Sequence, residues 1–92
     1  GTVRYITGFE VQDDAAIPEG MVRFQVPAQR YAVFTHTGPA PQISASFHAI
    51  HDHLLAKHGL QAKDGIDLER YDARFDDPFD PASQMELHIP VL

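Results

Sequence analysis

Apolar and polar positions alternate from the start of the chain. Tyr5, Thr7, Phe9 and Val11 oppose Ile6, Gly8 and Glu10, a two-residue period that predicts a strand over Arg4–Val11. Gly8 within that run marks a bulge or a close backbone approach. The polar stretch Gln12–Gly20, carrying Pro18 and Gly20, reads as a loop. A second strand is predicted over Met21–Val26, with Val22, Phe24 and Val26 inward, and Pro27 ends its pairing. Tyr31–Thr37 is rich in β-branched and aromatic residues and predicts a third. The short Pro27–Arg30 connection implies a hairpin between the second and third strands.

The period then changes. Gly38-Pro39-Ala40-Pro41 breaks the strand and opens a helix, since proline is tolerated in a first turn where its missing N–H has no partner anyway. Ile43, Phe47, Ile50 and Leu54 recur at helical spacing and form the expected buried stripe. Lys57 and His58 suit the negative end of the helix dipole, and Gly59 suits the position just past the end. Leu60–Ile66 is a connector. From Asp67 to Phe75 the two-residue period returns, with Leu68, Arg70, Asp72 and Arg74 on one face and Glu69, Tyr71, Ala73 and Phe75 on the other. Asp76–Ser83 is a loop with Pro78 and Pro81. Met85–Val91 closes the chain as a strand, with Met85, Leu87, Ile89 and Val91 inward and Glu86 and His88 outward. The order β-β-β-α-β-β predicts an α+β fold, an antiparallel-rich sheet with one packed helix, in a single domain over 1–92.

Composition narrows the function classes. An apolar fraction of 43% is ordinary for a folded chain and argues against disorder. The net charge of −6, with acids spread along the chain, argues against direct nucleic-acid binding, which needs a basic face. The same charge is compatible with cationic ligands. No run approaches the ~18 apolar residues of a membrane span, so no membrane association is expected. The absence of cysteine rules out disulfides and thiolate metal sites and fits a cytoplasmic protein.

Within this pattern Glu69 stands out as a carboxylate on an otherwise apolar and aromatic strand face. Two readings are open. Glu69 either sits at a wet rim, hydrated or paired with Arg70 or Arg74, or it faces Tyr5, Phe9, Phe47 and Tyr71 as the acid of a pocket. In the second case desolvation disfavours the charged carboxylate and an incoming cation restores it. Aromatic faces add about 0.5–2 kcal/mol each through cation–π attraction. Four of the six histidines, His48, His51, His53 and His58, lie on or beside the helix, with His36 just before it. His48 and His51 are spaced to share a metal, but there is no Cys and no His-Glu-x-x-His motif, so these rings read as a solvated helix flank and no metal is expected. Asp76, Asp77 and Asp80 lack calcium-loop spacing and read as an acidic surface loop. Ser44, Ser46 and Ser83 sit in no nucleophile motif, no phosphate loop occurs, and no catalytic residue or cofactor is assigned.

Several of these pieces, in order, resemble one family. Tyr5-Ile-Thr-Gly8-Phe-Glu-Val, Ile17-Pro-Glu-Gly-Met21, Val26-Pro-Ala-Gln-Arg-Tyr31-Ala-Val-Phe-Thr-His-Thr-Gly38, Leu68-Glu69-Arg-Tyr71-Asp-Ala-Arg-Phe75 and Glu86-Leu-His-Ile-Pro90-Val are similar to the GyrI-like effector-binding domain. That module is attached to many AraC- and MerR-type transcriptional regulators and also occurs as stand-alone proteins. The resemblance implies paired β-α-β-β units related by a pseudo-twofold axis, with a ligand groove between them. It further implies that Glu69 meets the charge of a lipophilic cation beside Tyr71, with Tyr5, Phe9, Phe47 and Met85 as further groove residues. A complete domain of this kind is longer. The N-terminal stretch resembles the last strand of a first unit, and only the second unit is whole, so the chain reads as an excerpt or as a homodimer. The expected function is binding of a small, amphipathic, cationic effector or drug, linked to transcriptional regulation or sequestration. Two alternatives come with the family: hydrolysis of strained electrophilic natural products assisted by the pocket glutamate, and inhibition of gyrase by protein binding.

Overall fold

The computed structural model describes residues 5–12 and 15–92. Its elements run in the order β-α-β-β, the order of one such unit. Strand β1 spans Tyr31–Thr37, helix α1 spans residues 43–57, β2 spans Leu68–Arg70 and β3 spans Gln84–Pro90. The sheet is antiparallel throughout, with β3 in the centre and β1 and β2 at its edges. The expected α+β class, an antiparallel sheet with one packed helix, is what forms.

Alternation on β1 and β3 determines which face the helix covers. Met85, Leu87 and Ile89 are buried on β3, while Gln84, Glu86 and His88 between them are half-buried on the other face. Residues opposite one another on antiparallel strands point to the same side. Ala32, Phe34 and His36 of β1 therefore share the side of Ile89, Leu87 and Met85, their partners in register. Ile50 and Leu55 of the helix complete this core with Val91, and Phe34, Ile43, Phe47, Leu54, Leu60 and Phe75 pack around it.

The helix departs from the expected stripe at one point. Its middle turn, Ile50–Leu54, is a π-turn between α-helical stretches at Ile43–Ala49 and Leu55–Lys57. A π-turn inserts an extra residue and advances the buried phase by one. The deeply buried pair is consequently Ile50 and Leu55, and Leu54, expected in the stripe, is half-buried. The ends behave as the sequence predicts. Pro41 sits in a 3₁₀ turn, Ala40–Gln42, that leads into the helix. Gly59 terminates the helix at φ +70, where the Gly59 N–H donates to Ala56 and the Leu60 N–H donates to Leu55. That pair of bonds is the Schellman arrangement, which glycine accommodates without steric penalty.

Three expected features are corrected. First, Tyr5–Val11 and Met21–Val26 form no strand, and no hairpin joins the latter to β1; Arg4 lies outside the described residues. An alternating sequence becomes a strand only when another strand accepts its backbone bonds, and a lone hairpin is marginal in water. Here β1 takes its partner from the C-terminal strand instead. Second, the fourth strand shortens to Leu68–Arg70. Beyond it the Asp72 carboxylate accepts from the Arg74 backbone N–H at 2.9 Å and closes a turn that ends pairing. Third, the connector Leu60–Ile66 adds an antiparallel bridge between Ala62 and Val91. The acidic loop is built from Asx turns: Asp77 and Asp80 accept the backbone N–H groups of Phe79 and Ala82.

Candidate functional site

Glu69 sits on edge strand β2 opposite Leu87 of β3, so its side chain leaves the sheet on the helix side. The helix covers β1 and β3, which leaves Glu69 exposed beyond the core rather than inside it. The Tyr71 hydroxyl donates to Glu69 Oε2 at 2.6 Å, a short bond as expected for an O–H on a carboxylate. The Tyr71 ring meets Phe75 edge-on, with centroids 4.9 Å apart at 73°, and Phe75 in turn packs on the core. Partial burial raises the Tyr71 pKa, and the Glu69 bond and charge push it further the same way, so the phenol stays a donor.

Neither nearby arginine neutralises Glu69. Arg70 lies 3.7 Å from Glu10, and Arg74 is bound to Asp72 at 2.9 Å and to Glu86 at 3.3 Å. The pairing with Arg70 or Arg74 considered from sequence is therefore not formed, and among the described residues Glu69 has no ion-pair partner. The Arg74 bonds hold Asp72 below the usual carboxylate range, and the His88 bond at 3.1 Å does the same for Glu86.

On the same side of the sheet, the flank of the helix adds a second group. Phe47 and His51, one helical turn apart, bring their rings to 4.8 Å. Partial burial raises the pKa of Asp67, two residues before Glu69, while the charge of His51 pulls it down.

The six residues expected to form the site are dispersed. Glu69 and Tyr71 are in direct contact, whereas Phe47 packs on His51 of the helix and makes no ring contact with Tyr71. Tyr5 and Phe9 are 84% and 86% exposed and make no ring contact among the described residues. Met85 is fully buried at 0% exposure in the core. Sequence reasoning did not single out Asp67, whose partial burial beside the helix flank depends on the fold. It also placed His36 among solvated rings, yet His36 is buried on β1 with Nδ1 2.6 Å from Ser46 Oγ. The phase of His36 with Ala32 and Phe34 was the signal for that correction. Among the described residues no cluster of three or more potential ligands gathers to hold a metal, and none of their helices is long and apolar enough to cross a membrane.

Comparison with known proteins identifies the family. Residues 1–91 match the family described as Cass2, the integron-associated effector-binding proteins. The chain is also 62% identical over 91 residues to the transcriptional regulator BrlR of Pseudomonas aeruginosa, an alignment that covers 99% of this chain and 34% of that protein. The chain thus spans about a third of the length of the curated relative it matches. By the extent of the family match and the identity to a regulator, the chain belongs to the integron-associated effector-binding family of GyrI-like domains.

Proposed function

We propose that this effector-binding domain takes an amphipathic, lipophilic cation and couples its presence to transcriptional regulation or to sequestration of the compound. The observation that carries the reading is the state of Glu69. Its carboxylate is oriented by the Tyr71 hydroxyl, lies beside aromatic rings, and has no cationic partner among the described residues because Arg70 and Arg74 are engaged elsewhere. A cation arriving there gains a charge partner and a ring face while its apolar body covers Phe75. The BrlR likeness supports the regulatory part of the reading. Self-association belongs to the same reading, since apolar side chains of the N-terminal segment stand in solvent, Val22 at 87% exposure among them.

The test is a melting-temperature titration with tetraphenylphosphonium and rhodamine-type cations, in wild type and Glu69→Gln. A ligand bound to the folded state alone must stabilise it. Stabilisation in wild type, reduced roughly tenfold or more in apparent affinity by loss of a charge-assisted contact in Glu69→Gln, is the expected result. Equal stabilisation of both proteins removes Glu69 from the site.

A further inference from the structure

We infer that helix α1 is a two-register element. Expelling its π-turn toward Gly59 exchanges Leu55 for Leu54 in the core and changes the wall of the neighbouring pocket. In the structure the Leu55 N–H donates to the Ile50 carbonyl, five residues back, and this bond keeps one extra residue in the turn. In the α-helical alternative the Leu54 N–H takes the same carbonyl, four residues back.

The second register is accessible because of the two residues that change places. Leu55 is 4% exposed in the core, and Leu54, half-buried, packs against that core. A one-residue shift brings Leu54 to the place of Leu55, so one leucine replaces another and the buried volume is conserved. Ile43, Phe47, Ile50 and Leu54 already stand at α-helical spacing in the sequence. Ile50, Leu54 and Leu55 all have right-handed helical backbone angles, so the exchange crosses no forbidden region. The helix lengthens by about 1.5 Å. Gly59 and Leu60 lie between its end and the Ala62–Val91 bridge and absorb that length.

The shift alters two contacts. Lys57 takes the place of His58, whose ring stands 6.4 Å from that of Phe34. His53 moves toward the place of Leu54, which lines the pocket between α1 and β1 with Ile50, Phe34 and Leu87. That wall is a leucine in the π register and an imidazole in the α register. An apolar group lodged there favours the π register, since a ligand shifts such an equilibrium by its difference in affinity for the two states. None of this depends on Glu69 binding a cation.

The experiment follows the ¹⁵N-labelled chain by relaxation dispersion, which reads μs–ms exchange, and compares Leu54→Gln with Leu55→Gln. Glutamine is close to leucine in helix propensity, so the variants report on burial. The expected wild-type result is exchange at residues 51–60. Leu55→Gln should fold in the α register, losing the Phe34–His58 nuclear Overhauser contact and gaining one between Phe34 and Lys57. Leu54→Gln should keep the Phe34–His58 contact and suppress the exchange. The double variant should lose more melting temperature than the two single losses combined. Flat dispersion at 51–60 in wild type overturns the inference. So does a Leu55→Gln chain that unfolds or that keeps the Phe34–His58 contact, and so do additive losses in the double variant.

Discussion

Asp67 shows how one residue's surroundings become a pH dependence. Burial raises its pKa above the ordinary carboxylate value, with His51 opposing. The folded chain therefore keeps this proton to higher pH than the unfolded chain does. In that window the unfolded state binds fewer protons, so stability falls as pH rises through and just above the usual carboxylate range. Asp67→Asn removes that fall. The expected outcome is a melting temperature higher by roughly 2 °C at pH 7 and unchanged at pH 3, small because the side chain stays partly in water. Thermal scans across pH check it, and a variant less stable than wild type at pH 7 contradicts it. Glu69 is legible in sequence as a carboxylate on an aromatic strand face, whereas the engagement of Arg70 with Glu10 and of Arg74 with Asp72 and Glu86 depends on a fold that brings those groups together.

At the scale of elements, local rules hold where the neighbours in sequence supply the partners. The Gly59 stop is such a case, since both bonds that close the helix come from within six residues of it. Gly59→Ala places a Cβ at φ +70 and should cost about 1–2 kcal/mol, read as a drop of roughly 5–10 °C in melting temperature. Strand β3 is the element on which the others depend, because it pairs with both edge strands and buries Met85, Leu87 and Ile89. Leu87→Ala should therefore cost about 2–5 kcal/mol, measured by denaturant unfolding. A loss well under 1 kcal/mol contradicts the central role of Leu87 in this core.

For the whole molecule, the telling feature is the segment before β1. Tyr5, Phe9, Met21, Val22 and Phe24 are exposed, a set of large apolar side chains that a folded chain does not normally leave in water. In the proposed reading a second copy of the chain covers them. Sedimentation at micromolar concentration should then show a reversible dimer, and Phe9→Asp combined with Val22→Asp should shift it to monomer. A stable monomer in the wild type sinks this part of the proposal.

What the sequence by itself determined is whatever depends on local periodicity and chain stereochemistry. That covers the α+β class, the limits of β1, the proline entry and glycine exit of the helix, and the inward residues of β3. Only the tertiary structure decided the rest. An alternating segment is a strand only if a neighbour accepts its hydrogen bonds, which is why 5–11 and 21–26 remain unpaired while 31–37 and 84–90 pair over their full length. The π-turn substitutes Leu55 for Leu54 in the core, a one-residue shift that periodicity does not register. Burial of His36 against Ser46, and the exposed, tyrosine-bound state of Glu69, follow from which face the helix covers and where it stops. Those are facts of packing between elements distant in sequence: the alternation along β1 marks the face of His36, but not the helix that covers it or the Ser46 hydroxyl it meets.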